Sequence, residues 1–394
     1  MNHRAALAAL GASTFVYVTA ETIPIGLLPE MARDLNVTEA SIGLLVTSYA
    51  VVAGLTSIPL TAVTMRFPRR ALIAGTVAAF AISQFAAALA PTFALVVIAR
   101  LLCALAHGVF WATIAPIAAR LVPPGQGGRA IALVFLGNSL AIVLGVPLGT
   151  ALGQWLGWRV VLTILAVVGA ICVAALFATL PVLSGETTKA GIKTAFLVLR
   201  DRSLFAICAT TAVLMIGLFA AYTYLAPLVR RDAGLEGTAL SALLLGFGVA
   251  GLFGNWIIGR WVDRSPGRLL ATLIAVMVVA LAALVPVLGP VPTVVAVLAW
   301  GAAMTATPII LQAAVLRVAP ATGDAASAVY VVAFQIGIGG GSLLGERFVS
   351  AGWLGWLPLL AAVLAGAALV IVRASRTAFP AVLPIETREP VPAP

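Results

Sequence analysis

The chain has 394 residues, of which 62% are hydrophobic and 9% charged, and its mean hydropathy is +1.14. Soluble domains carry roughly 25% charged residues, so this composition excludes a water-solvated globular protein. The net charge is +10, but the Lys and Arg flank apolar segments instead of forming one basic face, which argues against nucleic acid as a partner.

About 20 apolar residues cross a bilayer as a helix. Twelve such segments follow one another, near 5–32, 40–65, 71–91, 93–119, 129–154, 159–181, 204–229, 238–261, 269–289, 292–316, 325–349 and 354–373. Their periodicity is helical, and backbone polar groups in hydrocarbon must be paired internally. The expected fold class is therefore an all-α integral membrane protein with 12 transmembrane helices.

The first segment is too long for a signal-peptide core and reads as a retained span. It places Glu21 in mid-membrane, with Pro24 and Pro29 loosening the helix beyond it. The second carries Tyr49 and ends in the loop Arg66-Phe67-Pro68-Arg69-Arg70. The fourth carries Arg100 and His107 two turns apart, with Trp111 one turn further on nearly the same face. The fifth carries Asn138 and a small residue at every fourth position: Gly137, Ala141, Gly145, Gly149 and Gly153, with Pro147 among them. Such a ridge lets helices approach closely, for tight packing or for sliding.

Residues 182–203 form a polar linker. Beyond it, Tyr222 and Tyr224 end the seventh segment, and the eighth carries Asn255 and leads to Asp263, Arg264 and Arg268. Gln312 lies on the tenth, Tyr330 and Gln335 on the eleventh, followed by a second ridge of Gly337, Gly341 and Gly345. A Pro- and Glu-rich tail from about 377 is expected to be disordered. Cys103, Cys172 and Cys208 lie far apart in apolar segments and read as small core residues, with neither disulfide nor metal spacing.

Trp155-Leu156-Gly157-Trp158 returns as Trp353-Leu354-Gly355-Trp356, and 353 − 155 = 198. The same offset carries the Arg66–Arg70 loop onto Arg264–Arg268, since 264 − 66 = 198. Two landmarks at one offset indicate two pseudo-symmetric six-helix halves, 1–181 and 204–376, joined by the linker. Parallel halves that rock about a central site are a transporter plan. With the amino terminus in the cytoplasm, most of the 23 Lys and Arg fall on that side, leaving Arg33, Arg159, Arg230, Arg231 and Arg347 outside and Arg100 within a span. The positive-inside rule then puts both termini in the cytoplasm of a cell-membrane protein. The four tryptophans of the repeat read as an interfacial belt.

Ionisable groups inside a membrane are functional candidates by default. Hydrocarbon favours the neutral form of Glu21, giving a carboxyl that can take up and release a proton, or a permanently protonated structural one. His107 is the only intramembrane side chain that ordinarily titrates near physiological pH; it could relay protons, bind a hydroxylated ligand or sit neutral in the core. Arg100 cannot deprotonate and must find carbonyls or a carboxylate. Their offset partners are Phe219 for Glu21, Leu298 for Arg100 and Thr305 for His107, so proton coupling falls to the first half. Tyr49, His107, Trp111, Asn138, Tyr222, Tyr224, Gln312, Tyr330 and Gln335 are candidate substrate contacts; the neutral polar ones could equally join helix to helix. No P-loop, paired catalytic carboxylates or nucleophile–His–acid spacing appears, so neither an enzyme nor an ATP-driven pump is expected, and no cofactor or metal. The expected partners are a small-molecule substrate, protons and lipid, with the protein as a monomer.

Gly259-Arg260-Trp261-Val262-Asp263-Arg264-Ser265-Pro266-Gly267-Arg268 resembles the loop signature of the major facilitator superfamily. The first-half copy keeps Arg66, Arg69 and Arg70 but has Met65 in place of the acid. Arg100 with Gly108 is similar to the superfamily's helix-four signature. Gly145-Val146-Pro147-Leu148-Gly149 is similar to its antiporter motif, with Val146 intruding between Gly and Pro. The resemblance implies gating by Arg66, Arg69, Arg70, Asp263, Arg264, Arg268, Gly145, Pro147 and Gly149. Within the drug/proton antiporter group, Glu21–Leu28, Ala106–Trp111, Gly157–Arg159 and Ile336–Gly339 look most like the bacterial sugar efflux transporters. That implies proton-coupled export of small sugars such as arabinose or thiogalactosides. The alternatives are efflux of drugs of the chloramphenicol type or nucleosides by the same cycle, or a non-transporting membrane sensor.

Overall fold

The computed structural model describes residues 3–185 and 197–381. Eleven helices among the described residues are long and apolar enough to cross a membrane, and a shorter apolar stretch, Val51–Thr64, lies in the second span. The first half contains α1 (His3–Gly26), α2 (Leu28–Asp34), α3 (Glu39–Thr64), α4 (Arg69–Leu89), α5 (Phe93–Arg120), α6 (Gly127–Leu140), α7 (Val146–Leu156) and α8 (Trp158–Thr179). The second contains α9 (Arg202–Tyr222), α10 (Leu225–Ala233), α11 (Gly237–Trp261), α12 (Pro266–Ala283), α13 (Pro290–Val318), α14 (Gly323–Ser350) and α15 (Leu357–Ala374).

The first segment is not one helix to residue 32. The chain turns at Leu27 and restarts as α2 with Pro29 in its first turn, where a missing N–H is harmless. Val146 is accommodated by a π turn over Ala141–Gly145. Such a turn holds one residue more than an α turn, and Pro147 then falls in the first turn of α7.

Packing repeats between the halves. In the first, α1 lies against α6, α7 and α8, while α5 lies against α3 and α4. In the second, α9 lies against α14 and α15, while α13 lies against α11 and α12. The halves meet where α6 faces α11 and where α14 faces α3 and α5. The glycine ridges lie inside the halves. A Cβ on Gly137 would stand 2.0 Å from the Gly11 carbonyl oxygen, and Gly145 and Gly149 meet Thr19 and Ile23 of the same helix. Gly145 and Gly149 therefore lock α1 to its neighbour and do not form the surface between halves, and Pro147 is exposed.

Three local expectations change. Trp158 is no belt residue: it is 3% exposed, and its indole N–H donates to Asp34 Oδ2 at 3.0 Å, whereas Trp155 is 88% exposed. The tail is ordered as far as 381, with Ala378 and Phe379 buried and Arg317 donating to the Ala378 carbonyl; residues 382–394 lie outside the described residues. The start of the linker is docked too. Arg69 N–H donates to the Leu183 carbonyl at 2.9 Å, as Gly267 N–H donates to that of Pro380 at 3.0 Å. Since 267 − 69 = 198, each half closes with the same clasp. Glu186, Lys189 and Lys193 of the linker lie outside the described residues.

Gly137→Ala is expected to destabilise the protein by about 1–3 kcal/mol, because its methyl would meet rigid backbone. Gly75→Ala, with nothing within 4 Å of the new atom, serves as control. Thermal unfolding in detergent measures both, and equal melting temperatures would refute the ridge as an α1 lock.

Candidate transport site

Pro24 has no N–H, so the Ala20 carbonyl one turn earlier lacks its helical partner. Arg100 Nη1 donates to that oxygen at 2.8 Å, and Nη2 donates to the Glu21 carbonyl at 3.3 Å. The guanidinium also lies over the Tyr49 ring, 5.0 Å from its centroid. Arg100 thus holds the main chain of α1 and forms no carboxylate pair among the described residues.

Glu21 projects beside this anchor. Its side chain is 31% exposed, so it is not sealed in the core as its mid-span position suggested, and Oε2 lies 3.9 Å from His107 Nδ1. The Tyr49 hydroxyl is 2.9 Å from the same nitrogen. In the Nε2–H tautomer of the neutral ring, Tyr49 donates to Nδ1; with imidazolium, Nδ1–H can turn to the Glu21 carboxylate. The 3.9 Å gap is too long for a direct hydrogen bond, so transfer between the two needs a side-chain motion or a water. Gly108 permits the arrangement. A Cβ there would lie 2.5 Å from Ser57 Cα, so α3 and α5 touch backbone to backbone next to the Tyr49–His107 pair. Trp111 stands 6.1 Å from His107 and 5.7 Å from Phe135, centroid to centroid, and packs against the hydrophobic cores of both halves.

The candidate contacts of the second half divide. Gln312 is buried and donates to Ser327 Oγ at 2.8 Å, and Tyr330 hydroxyl donates to the Pro308 carbonyl at 3.4 Å, so both join α13 to α14. These two are helix-to-helix bonds and not open ligand contacts. Asn255, buried, donates to Ser139 across the halves. Tyr222, Asn138 and Gln335 remain partly open, Gln335 beside Gly54 of α3. Tyr224, also partly open, packs near Gly345, away from the Tyr49–His107 pair in the described contacts.

At the arginine-rich end the halves are joined twice. Asp263 Oδ1 accepts from Gly128 N–H at 2.7 Å and Oδ2 from Arg129 N–H at 2.9 Å. These are unpaired donors of the first turn of α6, where the helix dipole also favours an anion. Burial nevertheless pushes the Asp263 carboxyl above its ordinary range, outweighing the two donors. At the pseudo-equivalent junction Met65 is apolar and packs on Ala325 of α14. The charge there is supplied by Arg69, paired with Asp324 of α14, both almost fully buried. Asp324 is not among the expected site residues, because the eleventh span is expected from 325 whereas α14 begins two residues earlier, at Gly323. Its spacing signal existed: 324 − 198 = 126, the residue before α6. Arg66, Arg264 and Arg268 are exposed, Arg66 and Arg264 lying over Phe67 and Trp261, and Arg70 lies over Phe177. Of the loop arginines, only Arg69 is buried between the halves.

The family model of the Major Facilitator Superfamily matches residues 10–342. The chloramphenicol efflux pumps of two Mycobacterium tuberculosis strains are 38% identical over 356 residues, covering 86% of this chain and 84% of theirs. Among solved structures, the transporter FucP in its outward conformation superposes with TM-score 0.76 at 17% identity, over 94% of this chain and 98% of its own. The human organic anion transporter TETRAN does so with TM-score 0.74 at 14% identity, over 94% and 100%. This chain belongs to the Major Facilitator Superfamily. It is a multi-pass membrane transporter and not an enzyme. The sugar substrate implied by the motifs is not supported by these relatives, and the drug alternative stands closer.

Breaking a buried ion pair costs about 3–5 kcal/mol, so Asp324→Asn is expected to loosen the arginine-rich junction more than Asp263→Asn, whose amide can still accept from α6. Asp263→Asn alone retains the Arg69–Asp324 link, and the double variant should open furthest. Labelling of a cysteine introduced at Ala132 reads the opening. Equal labelling in all three variants and the parent would refute the junction.

Proposed function

We propose that this protein is a proton-coupled antiporter that exports small amphipathic, drug-like molecules, chloramphenicol among them, from the cytoplasm. The reading rests on one feature above all: a partly open carboxyl, Glu21, inside an apolar bundle and 3.9 Å from an imidazole. Kinship with efflux pumps supports the direction and the drug class. The positive-inside pattern supports a cell-membrane location with both termini cytoplasmic.

In the proposed cycle, the inward-facing carrier binds substrate beside His107, Trp111 and Asn138 with Glu21 ionised. The halves rock, and the arginine-rich junctions close the cytoplasmic side. A proton from outside neutralises Glu21, and substrate leaves. The neutral carboxyl then passes through the closed state at low desolvation cost. Arg100 holds the α1 backbone throughout, so the carboxyl returns to one place in every cycle. The contacts at Asp263 and Asp324 belong to the outward-facing form.

Glu21→Gln, nearly equal in volume and permanently neutral, should abolish proton-driven accumulation in proteoliposomes while leaving folding and substrate exchange. Flux with the parent's pH dependence would remove Glu21 as the carrier. His107→Ala should weaken substrate binding by about 0.5–1.5 kcal/mol, the worth of one neutral hydrogen bond. Unchanged affinity with a displaced pH profile would move His107 from the substrate to the proton path.

A further inference from the structure

The 198-residue offset sets the proton-handling trio against a different one. Glu21 maps to Phe219, Tyr49 to Phe247 and His107 to Thr305 (219 − 21, 247 − 49 and 305 − 107 all equal 198). The Thr305 hydroxyl is turned into its own helix, donating to Gly301 O at 3.1 Å. The second half therefore presents two rings and a hydroxyl satisfied within its helix where the first presents acid, phenol and imidazole. The rings are continuous. Phe219 and Tyr222 lie 5.8 Å apart, Tyr222 and Phe247 5.4 Å, Phe247 and Trp300 5.6 Å, and Phe219 and Phe334 6.4 Å. Phe247 and Trp300 are buried and back the cluster, whereas Phe219, Tyr222 and Phe334 are partly open. The edge is held on rigid backbone, since Gly341 brings α14 against α9 at Phe219. The Tyr222 hydroxyl has no hydrogen-bond partner among the described residues, so the apolar face carries one donor.

We propose that Phe219, Tyr222 and Phe334 form an aryl-binding face of the transport cavity, set across the halves from Glu21 and His107. The cavity is then polarised. It selects a neutral molecule with an aromatic ring at one end, seated on the second half, and hydroxyl or amide groups at the other, directed to the first. A polyhydroxylated sugar without a ring would leave the aromatic face uncovered. Trp111, beside His107, packs on the cores of both halves.

The inference rests on the export reading, and binding measured apart from flux separates the two. Purified protein in detergent is titrated with chloramphenicol, which has an aryl end and a polar end, and with isopropyl thiogalactoside, which has no aryl group. Phe219→Leu and Phe334→Leu keep bulk and remove the ring, and thermal unfolding confirms that each folds. Each is expected to weaken chloramphenicol binding by about 3- to 10-fold, the worth of one ring contact, and to leave thiogalactoside binding unchanged. Phe219→Tyr should restore most of the loss. Unchanged chloramphenicol affinity in both leucine variants, or a parent protein that prefers the thiogalactoside, would overturn the aryl face. Ring-dependent binding without proton-driven flux in proteoliposomes would sustain the face and remove the export reading instead.

Discussion

A guanidinium that cannot give up its proton lies inside this bundle, and the site is arranged around satisfying it. Arg100 is 3% exposed, and an unpartnered cation at that depth would cost several kcal/mol. The relief comes from a proline on another helix. By withholding its N–H, Pro24 leaves the Ala20 carbonyl open, and Arg100 takes it. With carbonyl partners on α1, the cation makes no side-chain pair with Glu21 among the described residues, and the carboxyl one residue on from Ala20 is left partly open beside His107. Tyr49, beneath the guanidinium, is fixed by it and in turn fixes His107. The helix break at Pro24, the buried cation and the partly open acid are one construction.

The duplication supplies a frame that each half has filled differently. The clasp donors Arg69 and Gly267 and the helix contacts keep the 198-residue correspondence, while the glycine ridges recur at an offset of 200 (337 − 137), because backbone packing in lipid depends on small residues along one helix face more than on chemistry. Side chains are freer. The junctions at the arginine-rich end show how far such freedom goes. One uses a loop acid on a helix N-terminus, through Asp263; the other puts the acid on the helix and the cation on the loop side, through Asp324 and Arg69. Losing the acid at Met65 therefore did not leave that junction without charge. Polarity reversed while the position was kept.

Much of this was legible in the sequence because bilayer physics writes in long words. Span number, the two halves and the prominence of Glu21, Arg100 and His107 follow from apolar length, repeat and rarity of charge. What was lost were short-range decisions. Whether Gln312 meets a ligand or Ser327 depends on which way one side chain turns on a helix, and composition does not encode that. Trp158 looked interfacial until Asp34, more than a hundred residues earlier, was seen to accept its N–H. Asp324 lies just outside the expected eleventh span, which starts at 325 where α14 starts at Gly323, and helix ends are where a pattern is least defined.

The same distinction bears on substrate. Motifs around Glu21 and His107 lie in the half to which the proposed cycle assigns proton coupling, and such equipment does not depend on the cargo. Those motifs therefore bear on mechanism more than on a sugar cargo. Selectivity has to come from groups that differ between pumps of one mechanism, and here one departure from symmetry is the replacement of Glu21, Tyr49 and His107 by Phe219, Phe247 and Thr305. A ring seated there gains contact that a sugar cannot match, since apolar burial scales with the area removed from water. On the proposed cycle, proton coupling and ligand choice can then change independently, one in each half, while the helix packing that repeats between the halves is preserved.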